Sequence, residues 1–256
     1  ADDRFSLWFQ GDTKGALGSI PGAPHVYIGL LLALLFATGL VLLHLSTRPD
    51  RVAVRDLNGR TGDTDAGWYG SRKEWLVMRL GLGMMGGFYF LLLIGTLSLF
   101  SVDFGLALVP GWKDAIFPAF QSVNGLQAGL ATVVVMAYLV RRYGGFEKYI
   151  HMEQFWGASK ILLALSLFYF YFWWSGFIVF WYGKTPVEQT LLDLLYFGPY
   201  RVLFFLGFIL SFLAPFLILM WNAVRKTTWG PSLAAALILL GTLVDKIRIY
   251  VAVYSV

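Results

Sequence analysis

A chain of 256 residues that is 58% hydrophobic and only 14% charged is too apolar for an ordinary soluble domain. Its net charge of +5 comes from basic residues sited between long apolar runs, a pattern of membrane orientation that argues against a nucleic-acid partner. The absence of cysteine excludes disulfides, thiolate-held iron–sulfur clusters and c-type haem attachment on this chain, so no cofactor is held covalently through sulfur.

The first residues, Ala1-Asp2-Asp3-Arg4, are acidic and the apolar stretch Phe5–Phe9 after them is very short, so no cleavable signal peptide is expected. Residues 1–24 read as an N-terminal interfacial arm, lying on the membrane surface or docked on a partner. Residues 25–256 read as an all-α, polytopic integral membrane bundle of about six transmembrane helices, at about 25–45, 76–100, 116–140, 158–182, 202–221 and 231–254. Pro24 and Pro231 suit first turns of helices, and Pro215 predicts a kink inside the fifth span. Gly81, Gly83, Gly86, Gly87, Gly125 and Gly129 suggest close helix–helix packing.

The connections set an orientation. The first, 46–75, is polar and carries Arg48, Arg51, Arg55, Arg60, Arg72 and Lys73. The third carries Arg141, Arg142 and Lys148, and the fifth Arg225 and Lys226. The second and fourth are poorer in cations, with Lys113 in one and Lys184 and Arg201 in the other. The odd-numbered loops are therefore expected in the cytoplasm and both termini outside. The first connection is rich in glycine and aspartate but lacks the spacing of a calcium loop, and reads as a docking loop.

Polar groups inside lipid are costly and mark pathways or pairings. Asp245 and Arg248 in the sixth span lie three apart on one helix face and can pair. Lys246 points elsewhere and needs another partner, or it snorkels. Asn124 and Gln127 in the third span are also three apart, and line a cavity or bond neighbouring helices. Asp103, Trp112, Lys113 and Asp114 precede that span. Lys184, Glu188 and Asp193 occupy the fourth connection and suit a partner-facing surface. The aromatic run 168–174 serves to shield an apolar ligand tail, or simply packs.

The fourth span is the chain's centre. Between Ala158 and Tyr182 the only formal charge is Lys160, and Trp181-Tyr182 closes the run with rings suited to headgroup level. Around it, Glu153-Gln154-Phe155-Trp156-Gly157-Ala158-Ser159-Lys160-Ile161-Leu162, then Tyr171-Phe172-Trp173-Trp174, then Trp181-Tyr182-Gly183 with Pro186 and Glu188, resembles the NrfD/PsrC-type membrane subunits. These include the membrane subunits of polysulfide reductase and of alternative complex III. Leu243-Val244-Asp245-Lys246-Ile247-Arg248-Ile249-Tyr250 resembles the acidic-basic pair of a later helix in that family. The likeness covers about residues 103–254.

That resemblance implies a membrane-integral subunit of a prokaryotic respiratory electron-transfer complex in the cytoplasmic (inner) membrane. It implies binding of quinone or menaquinone, or a proton path, at Asp245, Lys246, Arg248, Gln154, Lys160, His151, Asn124 and Gln127. The implied partners are iron–sulfur or haem proteins and other membrane subunits, besides lipid. The family pattern has His where Gln154 stands and an acid where Trp156 stands. Gln154 can hydrogen-bond a quinone carbonyl but cannot take its proton at neutral pH, and His151, about one turn away, is the residue that would compensate. Relatives of this type carry more helices than six, which implies a shortened member or an incomplete sequence.

Haem b is the weaker expectation. His25 and His44 stand at opposite ends of one span, about 28 Å apart, and cannot share one iron. Two alternatives stand beside the redox reading. One is an assembly subunit whose intramembrane charges only lock helices together. The other is a small secondary transporter, for which the halves show no convincing repeat.

Overall fold

A computed structural model of the chain describes residues 24–57, 68–106 and 114–254. The N-terminal arm, the glycine- and aspartate-rich part of the first connection, Trp112 and Lys113 lie outside the described residues, as do the side chains of His25 and Glu188. The chain divides into two units, Ala1–Thr96 and Leu97–Val256.

In the first unit, α1 (Pro24–Ser46) begins at its proline and runs 23 residues. The connection read as a polar loop contains a ten-residue amphipathic helix, α2 (Arg48–Leu57), that starts almost where α1 ends. Arg51 joins the two, donating from its guanidinium to the His44 carbonyl at 3.0 Å and bonding His44 Nε2 at 3.2 Å. The next helix, α3 (Arg72–Phe104), is opened by a capping box that the sequence reading passed over. Ser71 Oγ accepts from Glu74 N–H at 3.3 Å, and Glu74 Oε2 accepts from Ser71 N–H at 2.8 Å.

The second unit is built on α4 (Ile116–Tyr143), α5 (Met152–Gly183) and α10 (Trp229–Tyr254). Between α5 and α10 the chain forms the short helix α6 (Pro186–Leu192) and a π turn, Asp193–Phe197. A broken helix follows: α7 (Arg201–Phe208), a second π turn (Ile209–Leu213) and α8 (Ala214–Met220). A single turn, α9 (Asn222–Arg225), leads into α10. Asp114 caps α4, its Oδ1 accepting from the N–H groups of Ile116 at 2.8 Å and Phe117 at 3.1 Å.

Five helices among the described residues are long and apolar enough to cross a membrane: Val26–Ser46, Arg72–Phe104, Ile116–Tyr143, Met152–Gly183 and Arg201–Met220. The protein is therefore a multi-pass membrane protein, with all regular structure among the described residues helical. The sixth expected span, α10, has the length, about 39 Å, but is not among these five; Asp245, Lys246 and Arg248 lie in its second half.

The core of the second unit forms three layers along the bundle. At one end Ala131, Val134, Phe155, Leu162, Leu219 and Ile238 pack together. Phe120, Tyr169 and Phe212 fill the middle, and Leu106, Phe117, Phe180, Leu192 and Ile249 close the other end. The aromatic run of α5 packs against the broken helix: the rings of Phe170 and Phe212 stack at 4.6 Å, and those of Trp173 and Phe208 at 4.5 Å.

Pro215 acts through the π turn that precedes it. Lacking an N–H, it cannot bond the Ser211 carbonyl, and the ladder widens over Ile209–Leu213. The widened strip meets α10 closely: a Cβ on Gly241 would stand 2.4 Å from Ser211 Oγ and 2.6 Å from its N. Most glycines singled out from the sequence do no such work. Gly81, Gly83, Gly86, Gly87 and Gly129 have nothing within 4 Å of a built Cβ, and only Gly125 of that set meets a neighbour, Leu97 at 3.1 Å.

These contrasts are measurable. Gly241→Ala is expected to cost about 1–3 kcal/mol through overpacking, read as a lower thermal midpoint of the detergent-solubilised protein. Gly129→Ala, which enters open space, should leave that midpoint unchanged or slightly raised.

Candidate functional site

Three amides on α4 share one row at successive spacings of three: Gln121, Asn124 and Gln127. The row spans about 9 Å along the helix and turns gradually around it, so each amide meets a different neighbour. Gln121 Oε1 accepts a hydrogen bond from Lys246 Nζ of α10. Asn124 Oδ1 accepts from Thr242 Oγ1 of α10 at 3.0 Å. Gln127 Nε2 donates to Ser166 Oγ of α5 at 2.9 Å and to the Ser211 carbonyl at 3.0 Å. That last bond satisfies the very carbonyl that Pro215 leaves free.

Asn124 and Gln127 are both 0% exposed, so these bonds replace water entirely. Each amide nonetheless uses one end only. Gln121 Nε2, Asn124 Nδ2 and Gln127 Oε1 are buried without a partner among the described residues. The row is thus a chain of fixed donors and acceptors with unused valences, a setting for bound water.

The row leads to an ion pair. Arg248 donates from Nη2 to Asp245 Oδ1 at 2.7 Å and from Nε to the same oxygen at 3.2 Å. Both residues are 3% exposed, and Asp245 Oδ2 has no hydrogen-bond partner among the described residues. The guanidinium carbon lies 5.4 Å from the Phe204 ring centre and 5.6 Å from that of Tyr196, which adds cation–π attraction in a medium of low dielectric. Gly207 packs beside the acid, where a Cβ would stand at ordinary van der Waals distance, 3.7 Å, from Asp245 Cβ. Tyr196 belongs to the π turn between the spans; desolvation by the surrounding side chains pushes its phenol up to about 12. At neutral pH it holds its proton.

Arg248 and Tyr196 face a cavity that Asp114, Phe120, Phe172, Trp173 and Phe180 also line. Its enclosed part, about 40 Å³, takes a few water molecules, one of which needs roughly 10–15 Å³. The donor set suits a carbonyl oxygen and the aromatic walls suit a flat ring. Because a ring exceeds the enclosed volume, admitting it requires the aromatic wall to part.

The expected site residues fall into two groups that the fold keeps separate. Asp245, Lys246, Arg248, Asn124 and Gln127 form the buried row just described. Lys246 does not snorkel: it is half-buried and held by Gln121, a residue the sequence reading missed although it continues the spacing of Asn124 and Gln127. His151, Gln154 and Lys160 stand at the opposite end of the bundle, all exposed. Lys160 there lies over the Trp156 ring with Nζ 3.3 Å from its centre, and Lys226 approaches the same ring at 5.8 Å. Lys160 and Tyr169, which feels the charges of Asp245 and Arg248, are nine residues or about 13 Å apart along α5. His44 is engaged by Arg51, and no group of three metal-ligating side chains occurs among the described residues. Thr242, Ser166 and Tyr196 also escaped the sequence reading, whereas Tyr169 belongs to the aromatic run 168–174.

Neither the protein-family models nor the curated proteins compared with this chain give a match.

The ion pair has a thermodynamic signature. Arg248→Met strands a buried carboxylate and is expected to cost about 3–5 kcal/mol, whereas Asp245→Leu with Arg248→Met should regain most of that loss. Thermal unfolding in detergent checks this; equal melting of the single and double variants would show that the two groups are not coupled.

Proposed function

We propose that this chain is a membrane-integral, NrfD/PsrC-like subunit of a prokaryotic respiratory electron-transfer complex. It binds quinone or quinol beside the Asp245–Arg248 pair and anchors redox-active partner subunits. In this reading α10 is a sixth span, both termini lie outside, and the basic odd-numbered connections lie in the cytoplasm of a bacterial-type inner membrane. The observation that carries it is the buried Asp245–Arg248 pair, whose arginine opens onto an aromatic-walled cavity.

A quinone, when bound, supplies a carrier of two electrons and two protons. The chain's own groups supply the rest. Arg248 and the protonated Tyr196 phenol are donors for a carbonyl oxygen, and Phe120, Phe172 and Trp173 exclude bulk water. Asp245 Oδ2, free of a hydrogen-bond partner among the described residues, is the acceptor able to hold a proton. Gln121, Asn124 and Gln127, which cannot themselves take up a proton at neutral pH, continue toward the middle of the bundle as fixed hydrogen-bonding groups able to orient water molecules that would carry it. Electrons pass to metal centres on partner subunits, since this chain has no cysteine to hold a cluster.

An assembly role without quinone turnover is the second reading. It draws on the interhelical bonds of Gln127, which close a backbone defect and need no ligand to explain them.

The two readings part on lipid extraction. If the first holds, the purified complex contains quinone near one per chain, and Arg248→Lys or Tyr196→Phe lowers that ratio several-fold while the protein stays monodisperse. Absence of quinone from a complex that retains its redox partners would leave only the assembly reading. A pyridine haemochrome spectrum on the isolated chain separately tests for haem.

A further inference from the structure

The groove of the first unit runs between the end of α1, the start of α2 and the first four turns of α3, and has a volume of about 370 Å³. Its rim and its floor differ in chemistry. At the rim stand Arg48, Trp68, Lys73 and Glu74, with the Arg48 guanidinium carbon 5.9 Å from the Trp68 ring centre. Glu74 is already occupied: its carboxylate accepts from Ser71 N–H at 2.8 Å, Ser71 Oγ at 2.9 Å and Tyr69 N–H at 3.2 Å. Two cations therefore face one carboxylate whose oxygens are engaged, and the rim is net positive.

The floor is apolar throughout: Val77, Met78, Gly81, Leu82 and Met85. Gly81 leaves the groove unobstructed, since a Cβ there would meet nothing within 4 Å. From Lys73 to Met85 the helix advances twelve residues, about 18 Å, close to the ~15 Å depth of hydrocarbon in one leaflet. A tryptophan and two cations at one end of such a floor match headgroup level.

We infer that this groove binds an anionic phospholipid, its phosphate held by Arg48 and Lys73 and one acyl chain lying along Val77–Met85. A soluble anion would use the rim and leave the floor uncovered. An apolar partner helix would cover the floor and place no negative charge on the two cations. A phospholipid of net negative charge satisfies both at once, at the depth where the spans already hold the groove.

The test uses the full chain, delipidated in detergent and exposed to phosphatidylglycerol or to phosphatidylcholine of the same acyl composition, with bound lipid counted by native mass spectrometry. Phosphatidylglycerol is expected to be retained in preference, and the preference to fall about fivefold for each of Arg48→Gln and Lys73→Gln. Gly81→Leu keeps both cations but obstructs the floor, and is expected to lower retention several-fold; it carries the test if the charge variants fail to elute as folded protein. Retention at the wild-type level in the double charge variant, or in Gly81→Leu, would overturn the site. So would displacement of the lipid by soluble glycerol phosphate at an equal concentration, which would mark a plain anion site.

Discussion

In hydrocarbon no water is available to a backbone carbonyl, and Pro215 leaves one without its helical donor. The second unit is arranged around the repair of that defect. Gln127, from the neighbouring α4, reaches the Ser211 carbonyl and ties α5 into the same bond through Ser166. The widened turn that Pro215 imposes brings its backbone against α10 at Gly241, where no side chain intervenes. Asp245 follows Gly241 by one helical turn, so the approach that the π turn requires also places the carboxylate beside Gly207. A helix defect, an amide that mends it and the close approach at Gly241 thus position the ion pair.

The consequences for chemistry follow from the medium. A buried pair is a poor source of stability, because the desolvation of both charges offsets most of their attraction. Here the arginine also lies beside two aromatic rings, and its Nε and Nη2 both bond a single oxygen of the acid. The second carboxylate oxygen and three amide atoms remain as buried acceptors and donors beyond the pair. Locking helices together does not by itself require those unused valences, which leave room for bound water. The end of the bundle that carries His151, Gln154 and Lys160 has a different character: its lysine is committed to an indole face and its polar groups are exposed.

Residues three apart on one helix were legible as pairs, which is why Asp245 with Arg248 and Asn124 with Gln127 could be read directly from spacing. Their partners were not. Thr242 and Ser166 are small hydroxyl residues of kinds that often bond their own helix, as Ser166 also does to the Leu162 carbonyl, and Ser211 is met through its backbone carbonyl. Nothing in local sequence distinguishes a hydroxyl facing an amide from one facing its own backbone. Gln121 was overlooked although the row continues through it, and it is the residue that decides where Lys246 goes. The glycines of α3 misled in the other direction, because small residues permit close packing without requiring it.

Apolar run length and backbone hydrogen bonding were enough to determine, from the sequence alone, that the chain is a helical multi-pass membrane protein, where most of its helices lie, and that Pro215 disturbs one of them. All three follow from local rules that hold whatever the neighbours are. Three things were decided only by tertiary structure: which polar residues meet, that the fifth helix answers its proline with a π turn mended from α4, and that the expected site residues divide between opposite ends of the bundle. Those depend on the rotation and depth of one helix against the next, set by the summed packing of many side chains and by where glycine lets two backbones approach.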